Sequence, residues 1–126
     1  MLNKYGFVRV GAVTPNMKVA DTAYNTDEII KSIRDANNEN IQILVFPELS
    51  ITGYTCADLF AQTILLDNAK KSLDRIINET KELNIISIVG MPLKLDNNLF
   101  NVAVVIQSGK ILGIVPKTCI PNYEEF

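Results

Sequence analysis

Two runs of the chain, residues 43–46 and 85–89, constrain its fold more than any other feature. Each is apolar at nearly every position and lacks the alternation of a strand that faces water on one side. Strands of this kind are covered on both faces inside a parallel sheet, and parallel neighbours need a long crossover between them. Helical stretches supply the crossovers. Residues 65–83 place Leu66, Ala69, Leu73, Ile76, Ile77, Thr80 and Leu83 at steps of three and four, with Lys70, Lys71, Asp74, Arg75 and Glu82 largely off that stripe. The stretch 21–38 offers Ile29, Ile30, Ile33 and Ala36 as an apolar face, with Asn25-x-x-Glu28 as an internal start signal. Further β-branched runs at 7–13, 102–106 and 111–115 read as strands, and Ser108-Gly109 between the last two is a tight-turn dipeptide. The expectation is an α/β fold: strands near Phe7, Ile43 and Ile85 parallel in one sheet, with the 102–115 hairpin antiparallel beside them. No later segment is available to cover the sheet's second face, so the sequence reads as a truncated unit.

Composition narrows the partners. With 48% hydrophobic and 21% charged residues the chain buries a core as one domain, 1–126. A net charge of -2, with Lys and Arg scattered singly, gives no footprint for nucleic acid or for an anionic membrane. No apolar run approaches the length of a membrane span, and the start MLNKYGFVRV has no signal-peptide core, which points to the cytoplasm. Cys56 and Cys119 have neither CxxC spacing nor a histidine partner, so they read as reduced thiols. The chain contains no histidine at all, which leaves proton transfer to Glu, Asp, Lys or Tyr.

Val45-Phe46-Pro47-Glu48-Leu49 sets a carboxylate just beyond the carboxyl end of a buried strand, where open α/β sheets build their sites. Glu48 is therefore the leading catalytic candidate, against the plainer reading of a turn or capping glutamate. In Ile51-Thr52-Gly53-Tyr54, Gly53 suits a sharp loop under that site. Lys117 follows the apolar run 111–115 and lies between Pro116 and Pro121. A lone lysine there is ordinarily surface, but held near a carboxylate it is a fixed cation suited to an oxyanion, with the carboxylate as base.

The order FPEL, a GY loop, Leu99-Phe100-Asn101-Val102-Ala103-Val104-Val105-Ile106, Gly109-Lys110-Ile111-Leu112-Gly113 and Pro116-Lys117 resembles the nitrilase (carbon-nitrogen hydrolase) superfamily over essentially the whole chain. Tyr5-Gly6-Phe7-Val8-Arg9-Val10 and residues 53–62, GYTCADLFAQ, are similar to the glutaminase domain of bacterial glutamine-dependent NAD synthetases. The resemblance implies part of an α-β-β-α sandwich, and a Glu-Lys-Cys triad that hydrolyses an amide through a thioester, with glutamine as substrate. It matches Glu48 as general base and Lys117 as cationic stabiliser, and Tyr123 and Phe126 to the substrate pocket. The nucleophile is expected on a later strand and elbow turn, so Cys119 does not match it and the fragment is expected to be inactive. No cofactor is expected here; ATP and magnesium are implied for a separate synthetase domain, and homo-oligomers for the family. A stand-alone amidase or nitrilase, told apart by the absence of that synthetase domain, is the alternative within the superfamily. A non-catalytic α/β binding module is the alternative outside it, and Gly11-Ala12-Val13-Thr14-Pro15 lacks the GxGxxG that a dinucleotide binder needs.

Overall fold

The structure, a computed structural model, describes residues 6–53, 63–96 and 98–117. Its elements are β1 (Val10–Ala12), α1 (Thr22–Asn38), β2 (Ile43–Val45), α2 (Thr63–Glu79), β3 (Ile86–Leu95), β4 (Asn98–Gln107) and β5 (Lys110–Pro116). The strands form one sheet in the order β1-β2-β3-β4-β5. The first three are parallel, and β3-β4 and β4-β5 are antiparallel. Ser108 and Gly109 both take positive φ, as a two-residue hairpin turn requires.

Both helices pack on one face of the sheet. Ile29 and Ile33 of α1 and Ile76 of α2 are fully buried against Leu44, Val89, Met91, Val104 and Ile106. Each such side chain contributes about 1.5–3 kcal/mol by leaving water, so this layer is the main source of stability. Arg75 of α2 pairs across to Asp27 of α1 at 2.6 Å and, within its own helix, with Glu79. Its hydrogen bonds to Glu79 and then Asp27 hold the guanidinium pKa above its ordinary value. The other face of the sheet is apolar and open. Ala12, Val45, Ile88 and Val105 form one register row across it, and Val10, Val45 and Val115 stand 65%, 41% and 58% exposed.

Several boundaries differ from the sequence reading, each for a tertiary reason. The run 7–13 is a strand only over Val10–Ala12, because β2 offers three residues to pair with; Phe7 and Val8 are exposed. Helix α1 is capped by Asp21, whose carboxylate accepts from the Tyr24 N–H at 3.0 Å, and not started at Asn25. Asn25 is instead buried inside the helix. It accepts from the Lys18 N–H at 2.7 Å and donates to the carbonyls of Lys18 and Ile51 at 2.8 and 3.0 Å. Helix α2 ends at Glu79 rather than 83, and Thr80 closes the turn with its hydroxyl on the Ile76 carbonyl. Strand β3 runs past residue 89 to Leu95, through Pro92. The N–H of Gly90 points away from β4 to the Ser50 hydroxyl, and two residues on, Pro92 repeats that orientation, so its missing N–H removes no bond to β4.

Candidate functional site

The site forms where three strands deliver residues to one edge of the sheet. Strand β2 ends at Val45, and Phe46-Pro47-Glu48-Leu49 leaves from its carboxyl end. Strand β5 is twice reversed relative to β3, so it runs in the same direction as β2 and ends, at Pro116-Lys117, on the same edge. Two strands, β3 and β4, would still separate Glu48 from Lys117 if the chain continued along the axis of β2. It does not, because the segment after β2 crosses over β3.

Gly90 is the point of crossing. The Phe46 N–H reaches the Ile88 carbonyl at 2.9 Å, the Ile51 N–H reaches the Gly90 carbonyl at 3.1 Å, and the Gly90 N–H donates to the Ser50 hydroxyl at 3.0 Å. The loop therefore lies directly on the backbone of β3. A Cβ on Gly90 would stand 2.4 Å from the Leu49 nitrogen, 3.0 Å from the Pro47 oxygen and 3.1 Å from the Glu48 carbonyl carbon. Only a residue with no side chain permits that approach. The turn is also tight within itself. Leu49, 1% exposed, has φ 53°, and its carbonyl accepts from the N–H of Gly53, whose own φ is 90°. A buried leucine in the left-handed region is a strained conformation, costing about 1–3 kcal/mol, held by the surrounding bonds.

Across β3, Glu48 meets β4 and β5. Lys117 Nζ lies 3.2 Å from Glu48 Oε1, and the side-chain amide of Asn101 donates to the same oxygen. Asn101 is 5% exposed, while the Glu48 and Lys117 side chains are 38% and 32% exposed. The Lys117 N–H also donates to the Asn101 carbonyl at 2.9 Å, which fixes the end of β5 against β4. An ion pair this open contributes only about 0–1 kcal/mol to stability. What the arrangement provides is chemical: a carboxylate able to accept a proton, and an ammonium beside it able to stabilise negative charge.

The structure thus brings Glu48 and Lys117 together. Tyr123 and Phe126 lie outside the described residues, as do Cys56, Cys119, Tyr54 and Pro121. Two participants escaped the sequence reading. Asn101 was visible only as one polar residue within an apolar strand, and Gly90 as a glycine at the end of another; a buried polar side chain and a side-chain-free strand position are the signals that mark them. Among the described residues no group of three His, Cys, Asp or Glu is placed to hold a metal ion, and no helix is long and apolar enough to cross a membrane.

The sequence profile for carbon-nitrogen hydrolase matches residues 9–125. The chain is 37% identical over 123 residues to the glutamine-dependent NAD(+) synthetase of Mycobacterium tuberculosis H37Rv, covering 98% of this chain and 18% of that protein. It is 39% identical over 111 residues to the enzyme of the same name from Aquifex aeolicus, covering 88% and 19%. The chain spans about a fifth of the length of these relatives. Among solved structures, a glutamine-dependent NAD(+) synthetase from Cytophaga hutchinsonii superposes with a TM-score of 0.84 at 29% identity, over 91% of this chain and 20% of that one. An amidase of the nitrilase superfamily from Nesterenkonia shares the fold, with a TM-score of 0.78 at 22% identity over 94% and 45%.

Proposed function

Because the chain belongs to the carbon-nitrogen hydrolase family, we propose that it is the amino-terminal part of a glutaminase domain that releases ammonia from glutamine for NAD synthesis. The single observation that carries this reading is the 3.2 Å contact between Glu48 and Lys117, delivered to one edge of the sheet from separate strands. Support for glutamine as substrate comes from relatives whose names specify glutamine-dependent NAD synthesis.

Glu48 takes the proton of a cysteine thiol as the sulfur attacks the amide carbon. Lys117 stabilises the oxyanion that forms on the amide oxygen. Collapse of that intermediate expels the amide nitrogen, which collects the proton from Glu48 and leaves as ammonia, and a thioester remains. Glu48 then removes a proton from water, which attacks the thioester and releases glutamate and the thiol. The nucleophile belongs to a segment outside residues 1–126, and residues 1–126 alone are inactive. The family resemblance assigns Tyr123 and Phe126 to binding glutamine. ATP and magnesium act in a separate synthetase domain, and no step above passes through them. The intact protein is a cytoplasmic homo-oligomer.

The test uses Glu48→Ala and Lys117→Ala in the intact protein. A general base contributes about 10²- to 10⁴-fold and an oxyanion-stabilising donor about 10²- to 10³-fold, so glutamine-dependent NAD synthesis falls by at least about 10²-fold in each variant. Synthesis from supplied ammonia persists. Equal loss of both activities refutes the assignment, and hydrolysis of simple amides with no ATP-dependent reaction identifies a stand-alone amidase instead.

A further inference from the structure

We propose that Asn101 is the positioning residue of the site, which selects one of the two carboxylate oxygens of Glu48 as the base; this rests on the hydrolase reading above. Asn101 touches both partners of the ion pair. Its side-chain amide donates to Glu48 Oε1, and its backbone carbonyl accepts the Lys117 N–H at 2.9 Å. Because the Lys117 ammonium also lies on Oε1, at 3.2 Å, both donors converge on one oxygen. Among the described residues the Asn101 hydrogen bond and the 3.2 Å Lys117 contact both fall on Oε1 rather than on Oε2.

The two oxygens therefore differ in chemistry. Oε1 is occupied by a neutral and a cationic donor, both of which draw on its lone pairs. Oε2 keeps its lone pairs for an incoming proton, and the amide of Asn101 sets the rotation of the carboxyl group that aims it. Lys117 by itself cannot do this, because an ammonium is a point charge on a flexible stem with no preferred plane. Asn101 is rigid by comparison. It is 5% exposed and lies within the β3-β4 ladder, opposite Pro92. The sheet needs no polar residue there, since Leu99 and Ala103, which share its face of β4, are apolar.

The test compares wild type, Asn101→Leu and Asn101→Asp in the intact protein. Leucine keeps the volume and removes the donor. A lost hydrogen bond to a charged group corresponds to about 10- to 100-fold, expected in kcat for glutamine with KM little changed. A crystal structure of Asn101→Leu shows the Glu48 carboxylate turned away from its contact with Lys117. Asn101→Asp separates positioning from mere support. As pH falls the two carboxyl groups share a proton, the aspartic acid hydroxyl replaces the amide as donor, and activity relative to wild type recovers. The Asn101→Leu deficit stays constant across the same pH range. Unchanged kcat with Glu48 unmoved overturns the proposal, as does a loss confined to KM or an Asn101→Asp deficit that ignores pH. A wild type that hydrolyses no glutamine refutes the proposed function, and the position of Glu48 in Asn101→Leu then decides the role of Asn101 on its own.

Discussion

Replacing Gly90 by alanine adds one methyl group and puts it where the site is assembled. The new Cβ would stand 2.4 Å from the Leu49 nitrogen, with the Pro47 oxygen and Glu48 carbonyl carbon at 3.0 and 3.1 Å. All three neighbours are backbone atoms, so no side chain can rotate aside. Ordinary contact requires the loop to retreat by about 1 Å, and three hydrogen bonds oppose that movement: Phe46 to Ile88, Ile51 to Gly90, and Gly90 to Ser50. Overpacking of this kind costs about 1–3 kcal/mol. The lower entropy of the unfolded alanine chain offsets about 0.4–1 kcal/mol of it. A net loss of about 1 kcal/mol lowers Tm by about 4 °C in a domain of this size. The retreat carries Glu48 with it, and a 1 Å displacement at a reacting group costs on the order of 10²-fold in rate. Thermal unfolding followed by circular dichroism and glutamine-dependent turnover of the intact protein measure the two effects. Gly113→Ala is the control, since a Cβ there meets nothing within 4 Å. A Gly90→Ala protein that melts with the wild type and retains its turnover would refute the crossing geometry as the means of placing Glu48.

Two further outcomes follow from the packing. Asn25→Ala removes the side chain that satisfies the Lys18 N–H and the carbonyls of Lys18 and Ile51 in a fully buried position. Leaving such groups unpaired costs about 1–3 kcal/mol, read as a shifted midpoint in urea unfolding; a variant as stable as wild type would show that water replaces the amide without penalty. The open sheet face predicts that residues 1–126 expressed alone self-associate, burying more than about 1,000 Å². Sedimentation at high concentration checks this, and a well-behaved monomer refutes it.

The sequence by itself determined the order of elements, because apolar periodicity depends on local spacing. Continuous runs at 43–46 and 85–89 specified parallel strands, the three-and-four stripe specified α2, and Ser108-Gly109 specified the last hairpin. It also nominated Glu48 and Lys117, since the end of a strand is readable from where its apolar run stops. The extent of pairing was not readable, because it belongs to the partner: β1 is short because β2 is short, and β3 is long because β4 continues beside it. Nor was the role of Asn25, whose backbone partners come from Lys18 and Ile51. The convergence of the site was decided by tertiary structure alone. Glu48 reaches β4 and β5 because the loop after β2 crosses the bare backbone at Gly90, and a close approach between residues 40 positions apart leaves no periodic trace in the chain. Asn101, 53 positions from Glu48, becomes its partner only when the sheet sets the two side by side.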